Sequence, residues 1–125
     1  MKKPVKIVLI GCGKIALGVH LPSIYRLREE GLVEISGVCD TDISKAENVS
    51  KIFGVDNFSD NWKKLVESTN PDAVSVCLLP PTNAKVSLEA INMGLHILCE
   101  KPLGLTHEDA LKLSEASLKN PKNVH

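Results

Sequence analysis

The chain has 125 residues, with 15 Lys and Arg against 15 Asp and Glu and a pI near 6.9. A neutral balance argues against the basic face that nucleic acid or an anionic membrane calls for, and the length suits one domain with a real core. Aromatic residues make up only 3%, so the core must be aliphatic; no apolar run approaches the ~20 residues of a membrane span, and the Met1-Lys2-Lys3-Pro4 start reads as a solvated N-terminus, not a signal peptide.

From Lys6 the sequence reads KIVLIGCGKIA. Ile7 to Ile10 suits a strand buried on both faces. Gly11, Gly13 and Ala16 then form G-x-G-x-x-A where that strand should turn into a helix. Gly11 allows the tight turn, Gly13 leaves room for a pyrophosphate against the backbone, and Ala16 lets helix and strand pack closely. Free N–H groups at the helix start would face the phosphates. The helix is expected to carry Ile15, Ala16, Val19 and His20 inward, to be interrupted at Pro22, and to run on to Glu30 with Ile24, Tyr25 and Leu27 apolar. Gly31 would cap it.

Leu32 to Cys39 is the second expected strand, and Asp40 stands at its end. Asp40 has two readings: acceptor for the two ribose hydroxyls of a dinucleotide, or turn residue before the next helix. Asp42 is placed as the cap of a helix over Ile43–Phe53, whose apolar positions Ile43, Ala46, Val49, Ile52 and Phe53 recur at helical spacing. Gly54 closes it. Val55 to Phe58 is a short third strand, and Ser59 or Asp60 caps a helix with Trp62, Leu65 and Val66 that ends before Pro71. Ala73 to Leu79 is the fourth strand, stopped by Pro80-Pro81. A helix follows over about Asn83 to Met93, then a fifth strand over Leu95 to Cys99. Glu100-Lys101-Pro102 comes next, and Thr106-x-x-Asp109 opens a last helix with Ala110, Leu111, Leu113 and Leu118 as its apolar residues. Asn123-Val124-His125 reads as the beginning of a sixth strand.

Alternating strands and helices with short connections predict an α/β fold: a Rossmann-type, doubly wound parallel sheet with helices on both faces. Its ligand crevice lies at the carboxyl ends of the strands. The Gly11 turn, Asp40, Leu79-Pro80-Pro81 and Glu100-Lys101-Pro102 all fall there. Cys12, Cys39, Cys77 and Cys99 contain no C-x-x-C pair, and His20, His96, His107 and His125 have no metal spacing, so no metal site is expected. The thiols are read as reduced and the location as cytoplasmic. Cys12 lies in the phosphate loop, where a helix N-terminus could activate a thiol; the plainer reading is a small residue that fits. Glu100-Lys101 reads either as a solvated pair or as part of the crevice.

Two motifs together, GCGKIA after the first strand and CEKPLGLT after the fifth, resemble the nucleotide-binding half of the Gfo/Idh/MocA oxidoreductases. VCDTD, PDAVSVCLLPP and EAINMGLHILCEKPL between them fit as well. The resemblance covers essentially the whole chain, and Glu-Lys-Pro is its most specific part. It implies an NAD(P)-binding domain over residues 1–125, part of an oxidoreductase that transfers hydride between a nicotinamide and a sugar, inositol or related hydroxy or carbonyl compound. It implies NAD as cofactor, with NADP possible, and a small polyol or sugar substrate, with no nucleic acid or membrane partner and a homo-oligomer as an option. Gly11, Cys12, Gly13, Lys14, Ile15 and Ala16 would hold the pyrophosphate, and Asp40 with Thr41 the adenosine ribose. Leu79 and Pro80 would border the nicotinamide, and Glu100 and Lys101 would lie beside it, with Lys101 catalytic. Relatives usually carry a histidine at the start of the helix after strand four; Asn83 is the nearest polar residue here. The C-terminal α/β substrate domain of relatives is absent from this chain. The alternatives are a non-catalytic NAD(P)-sensing module and a Rossmann domain for another nucleotide such as S-adenosylmethionine, which would leave Glu100-Lys101-Pro102 without a role.

Overall fold

The computed structural model describes residues 3–13, 18, 21–79, 82–99 and 107–119. The elements run β1 (Val5–Ile10), α1 (Leu21–Glu29), β2 (Val33–Cys39), α2 (Ile43–Phe53), β3 (Phe58–Ser59), α3 (Trp62–Thr69), β4 (Ala73–Val76), α4 (Thr82–Asn92), β5 (His96–Cys99) and α5 (His107–Lys119). All strands pair in parallel, in the order β3-β2-β1-β4-β5. From β1 the chain winds outward through β2 to β3, then returns to the other side of β1 for β4 and β5. The reversal puts the topological switch point beside β1, where a doubly wound sheet opens its crevice.

Two apolar cores flank the sheet. Leu9, Val33, Ile35 and Val38 point to one face, where Leu21 and Ile24 of α1 and Ala46 and Val49 of α2 cover them. Val8, Ile10, Val74, Val76 and Ile97 point to the other, under Leu65 of α3, Ile91 of α4 and Leu113 of α5. This is the two-faced winding expected from the alternating pattern. Val8 and Leu9, adjacent in β1, are both 0% exposed, one on each face, and burying each is worth about 1.5–3 kcal/mol. Between Ile7 and Val8 the register against β2 slips by one residue, so that Val8 faces Gly37 and Ser36 is passed over.

Several boundaries differ from the sequence reading. β4 ends at Val76, not Leu79, because its partners β1 and β5 end at Ile10 and Cys99 in the paired register. β3 is Phe58–Ser59 and not Val55 to Phe58; Val55 is 5% exposed and packs into the core under α2. The cap of α3 is neither Ser59 nor Asp60 but Asn61, whose side chain accepts from the Lys64 N–H. Ser59 is held in β3, with its carbonyl accepting from the Asp40 N–H at 3.2 Å. β2 and β5 begin one residue later than expected, and α4 spans Thr82–Asn92. Tyr25, Leu27, Ile43, Ile52, Leu111 and Leu118 stay exposed where helical spacing placed them inward. Tyr25 lies edge-on to Phe53 with its ring centroid 5.9 Å away. Residues 14–17, 19 and 20 of the expected first helix, the Thr106 cap and the sixth strand lie outside the described residues.

Candidate nucleotide-binding cleft

The chain turns out of β1 at Gly11, which has φ of 98°. That left-handed value is costly for any residue with a Cβ. A Cβ there would also collide with the Cys77 carbonyl oxygen at the end of β4. The Gly11 N–H donates to the Cys39 carbonyl at 2.7 Å, so the turn is pinned between the strands on both sides of β1. Gly13 is different: it is exposed, and among the described residues a Cβ built on it meets nothing within 4 Å.

Cys12 lies between them, 2% exposed. Its N–H donates to Asp40 Oδ2 at 2.9 Å and its thiol to the Cys39 carbonyl at 3.4 Å. Burial, and after it the nearby Asp40 carboxylate, pushes the Cys12 thiol up to about 12. Burial likewise pushes Cys39 up to about 12. Both thiols are protonated at neutral pH, which agrees with the plain packing role for Cys12. None of Cys12, Cys39, Cys77 and Cys99 forms a disulfide.

Asp40 follows β2, half-buried, and its second oxygen, Oδ1, accepts from the Asp42 N–H at 2.9 Å. Asp42 caps α2 as expected, accepting from Ser44 N–H at 3.1 Å. Hydrogen bonds from the Ser44 side chain and then its backbone hold the Asp42 carboxyl below the ordinary value of 3.8.

Gly11, Asp40 and Thr41 line a cleft of about 340 Å³, within the roughly 300–1,000 Å³ of small-molecule sites. Ile10, Trp62, Leu78 and Val86 give it apolar walls, and Asp60, Lys63, Lys85 and Glu89 give it a charged rim. Lys63 and Glu89 form an ion pair at 3.0 Å between α3 and α4, and the Lys63 ammonium lies 5.8 Å from the centre of the Trp62 ring. A more polar hollow, lined by Lys6, Arg28, Glu34 and Asp56 among others, sits at the opposite end of the sheet, where β1 and β2 begin. Physical chemistry favours the first, because there the Gly11 turn, the Asp40 carboxylate and apolar walls meet at the strands' carboxyl ends.

Of the residues named from the sequence, the fold brings Gly11, Asp40 and Thr41 together on this cleft, with Cys12 buried behind it. Leu79 is 81% exposed and Asn83 is 1% exposed in the first turn of α4; neither lines the cleft. Lys14, Ile15, Ala16, Pro80, Glu100 and Lys101 lie outside the described residues. The sequence reading missed Trp62 as a wall and Thr82, Lys85, Val86 and Glu89 as a side. Those last four recur at helical spacing along α4, the one signal that could have marked them.

A parallel doubly wound sheet with a glycine turn after β1 and an acidic residue after β2 defines the dinucleotide-binding Rossmann class. Residues 5–125 match the family model described as oxidoreductase family, NAD-binding Rossmann fold. The chain belongs to this family, the Gfo/Idh/MocA oxidoreductases. It is 31% identical over 116 residues to D-glucoside 3-dehydrogenase of Escherichia coli K12, a match covering 93% of this chain and 32% of that enzyme. An oxidoreductase structure from Thermotoga maritima superposes with a TM-score of 0.90 at 33% identity, over 98% of this chain and 37% of the other. The 3-ketoreductase KijD10 of Actinomadura kijaniata, solved with NADP and TDP-benzene, superposes with a TM-score of 0.84 at 27% identity, over 95% and 35%. The chain therefore spans about a third of the length of these relatives.

Proposed function

We propose that the chain is the cofactor-binding half of an oxidoreductase that moves a hydride between a nicotinamide dinucleotide and a sugar, inositol or related hydroxy or carbonyl compound. The observation that carries this reading is the cleft at the switch point, which brings the pinned Gly11 turn together with the Asp40 carboxylate. Gly13 fits the group in a way that any larger residue would not, because a side chain there would occupy the pyrophosphate's place. Loop amides would hold the pyrophosphate, Asp40 and Thr41 the adenosine ribose, and Trp62, Leu78 and Val86 the base. The bound nicotinamide supplies the redox chemistry. Lys101 is the proposed catalytic residue: its ammonium would donate to the reacting substrate oxygen and stabilise negative charge there. Glu100, Leu79 and Pro80 would border that end of the site. The enzymatic relatives support this over a purely sensing role.

Cofactor choice follows from charge. Asp40 stands where the 2′-phosphate of NADP would lie, so like-charge repulsion favours NAD. Calorimetric titration of the chain with both nucleotides should give tighter binding of NAD. Trp62 is the one tryptophan and lines the cleft, so its emission should change along the same titration. Absence of binding by either nucleotide would refute the reading, and tighter binding of NADP would refute the assignment of Asp40.

A further inference from the structure

Asp40 makes a contact that ribose recognition does not require. Its Oδ2 accepts from the N–H of Cys12, 28 residues earlier and inside the phosphate loop, at 2.9 Å. The preceding amide, Gly11 N–H, is held by the Cys39 carbonyl at 2.7 Å. Two successive amides of the loop are thus anchored to the end of β2, the first by backbone and the second by the Asp40 side chain. The strand end is itself fixed, since Asp40 N–H donates to the Ser59 carbonyl of β3 at 3.2 Å. Oδ1 is engaged by Asp42 N–H at 2.9 Å. A carboxylate offers about four acceptor sites, so two remain for a diol while both backbone contacts persist.

We propose that Asp40 is a positioning residue for the start of the phosphate loop, holding the Gly11–Cys12 turn through the Cys12 N–H before a nucleotide arrives, in addition to meeting the ribose. This rests on the dinucleotide reading above. The contact is charge-assisted, about twice the strength of a neutral hydrogen bond. Cys12 as a whole is 2% exposed, so without Asp40 its amide gains a new partner only if the loop moves. Any ligand that uses the loop then bears the cost of ordering it, including a ligand with no ribose hydroxyls.

The test compares ADP with 2′,3′-dideoxy-ADP, which keeps the phosphates and base but lacks the diol. Asp40→Ser is the primary variant, because a serine hydroxyl can still accept from Asp42 N–H but is too short to reach Cys12. Asp40→Ala serves if that variant does not fold, as judged by circular dichroism. Either should bind dideoxy-ADP about tenfold more weakly than the natural chain does. Asp40→Asn, which keeps an oxygen facing Cys12 N–H, should restore most of that affinity without restoring the preference for ADP. Amide exchange read by NMR without ligand should quicken at Cys12 in the Ser variant while Val8 and Leu9 stay protected. Unchanged dideoxy-ADP affinity and unchanged Cys12 exchange would show that Asp40 acts on the hydroxyls alone. If the natural chain binds neither ADP nor its dideoxy form, the dinucleotide reading is overturned and the positioning role with it.

Discussion

Gly11 and Gly13 belong to one motif and do opposite things. Gly11 is required by the protein itself: φ of 98° and the Cys77 carbonyl beneath it leave no place for a side chain. Gly13 is kept, on the proposed reading, for a ligand, because among the described residues nothing lies within 4 Å of where its Cβ would be. The two substitutions should therefore separate. Gly11→Ala should destabilise the fold by about 2 kcal/mol or more. Gly13→Val should keep a melting temperature within roughly 2 °C of the natural chain and abolish NAD binding. Thermal melts and nucleotide titrations on both variants check this; loss of stability in Gly13→Val would mean that the space over residue 13 is structural. The spacing of the glycines was legible in the sequence. Which of them serves the fold depends on β4 lying alongside β1, a contact between residues 66 positions apart that no local pattern records.

Helix α2 shows how far local chemistry reaches. The Asp42 cap, the bounds Ile43–Phe53 and the Gly54 terminus all agree with the sequence reading. Each signal is a short-range hydrogen bond or a backbone preference. Helix α3 shows where it stops. Ser59, Asp60 and Asn61 are consecutive polar residues with similar capping propensity, and the choice among them is made by β3 pairing with β2, a tertiary event. The Asp42 cap carries a pH dependence. Its carboxyl is held below the ordinary 3.8 by Ser44, so the native state binds that proton less readily than the unfolded chain. The stabilisation is present above the unfolded value and is lost as pH falls through the native one. Asp42→Ala should lower the melting temperature at pH 7, and the gap between the two proteins should close in acid below that window. A gap that persists at pH 2 would mean that the carboxylate charge is not what stabilises the helix.

At the scale of the molecule, alternation of strand and helix was enough to predict a parallel sheet covered on both faces, because short connections leave few other topologies. Strand order and the far side of the cleft were not legible. Trp62, Lys63, Lys85 and Glu89 come together because α3 and α4 cover the same face of the sheet, on either side of the reversal. The chain covers about a third of its relatives, so we expect it to bind NAD without oxidising polyols. Measurable turnover by the 125-residue chain would show that this half suffices. In a polypeptide that also carries the substrate half, Lys101→Ala should leave NAD affinity within a fewfold and slow hydride transfer on the order of 100-fold; near-normal turnover would remove Lys101 from the chemistry. The central place of β1 has a further consequence, for synthesis. Its first partner, β2, emerges from the ribosome soon after it, but its second, β4, begins only at Ala73. Until then one edge of an apolar strand has no neighbour, the kind of surface that recruits other chains. A nascent chain stalled before Val76 should therefore be a client for holding chaperones, whereas one released after Cys99 has all five described strands in hand.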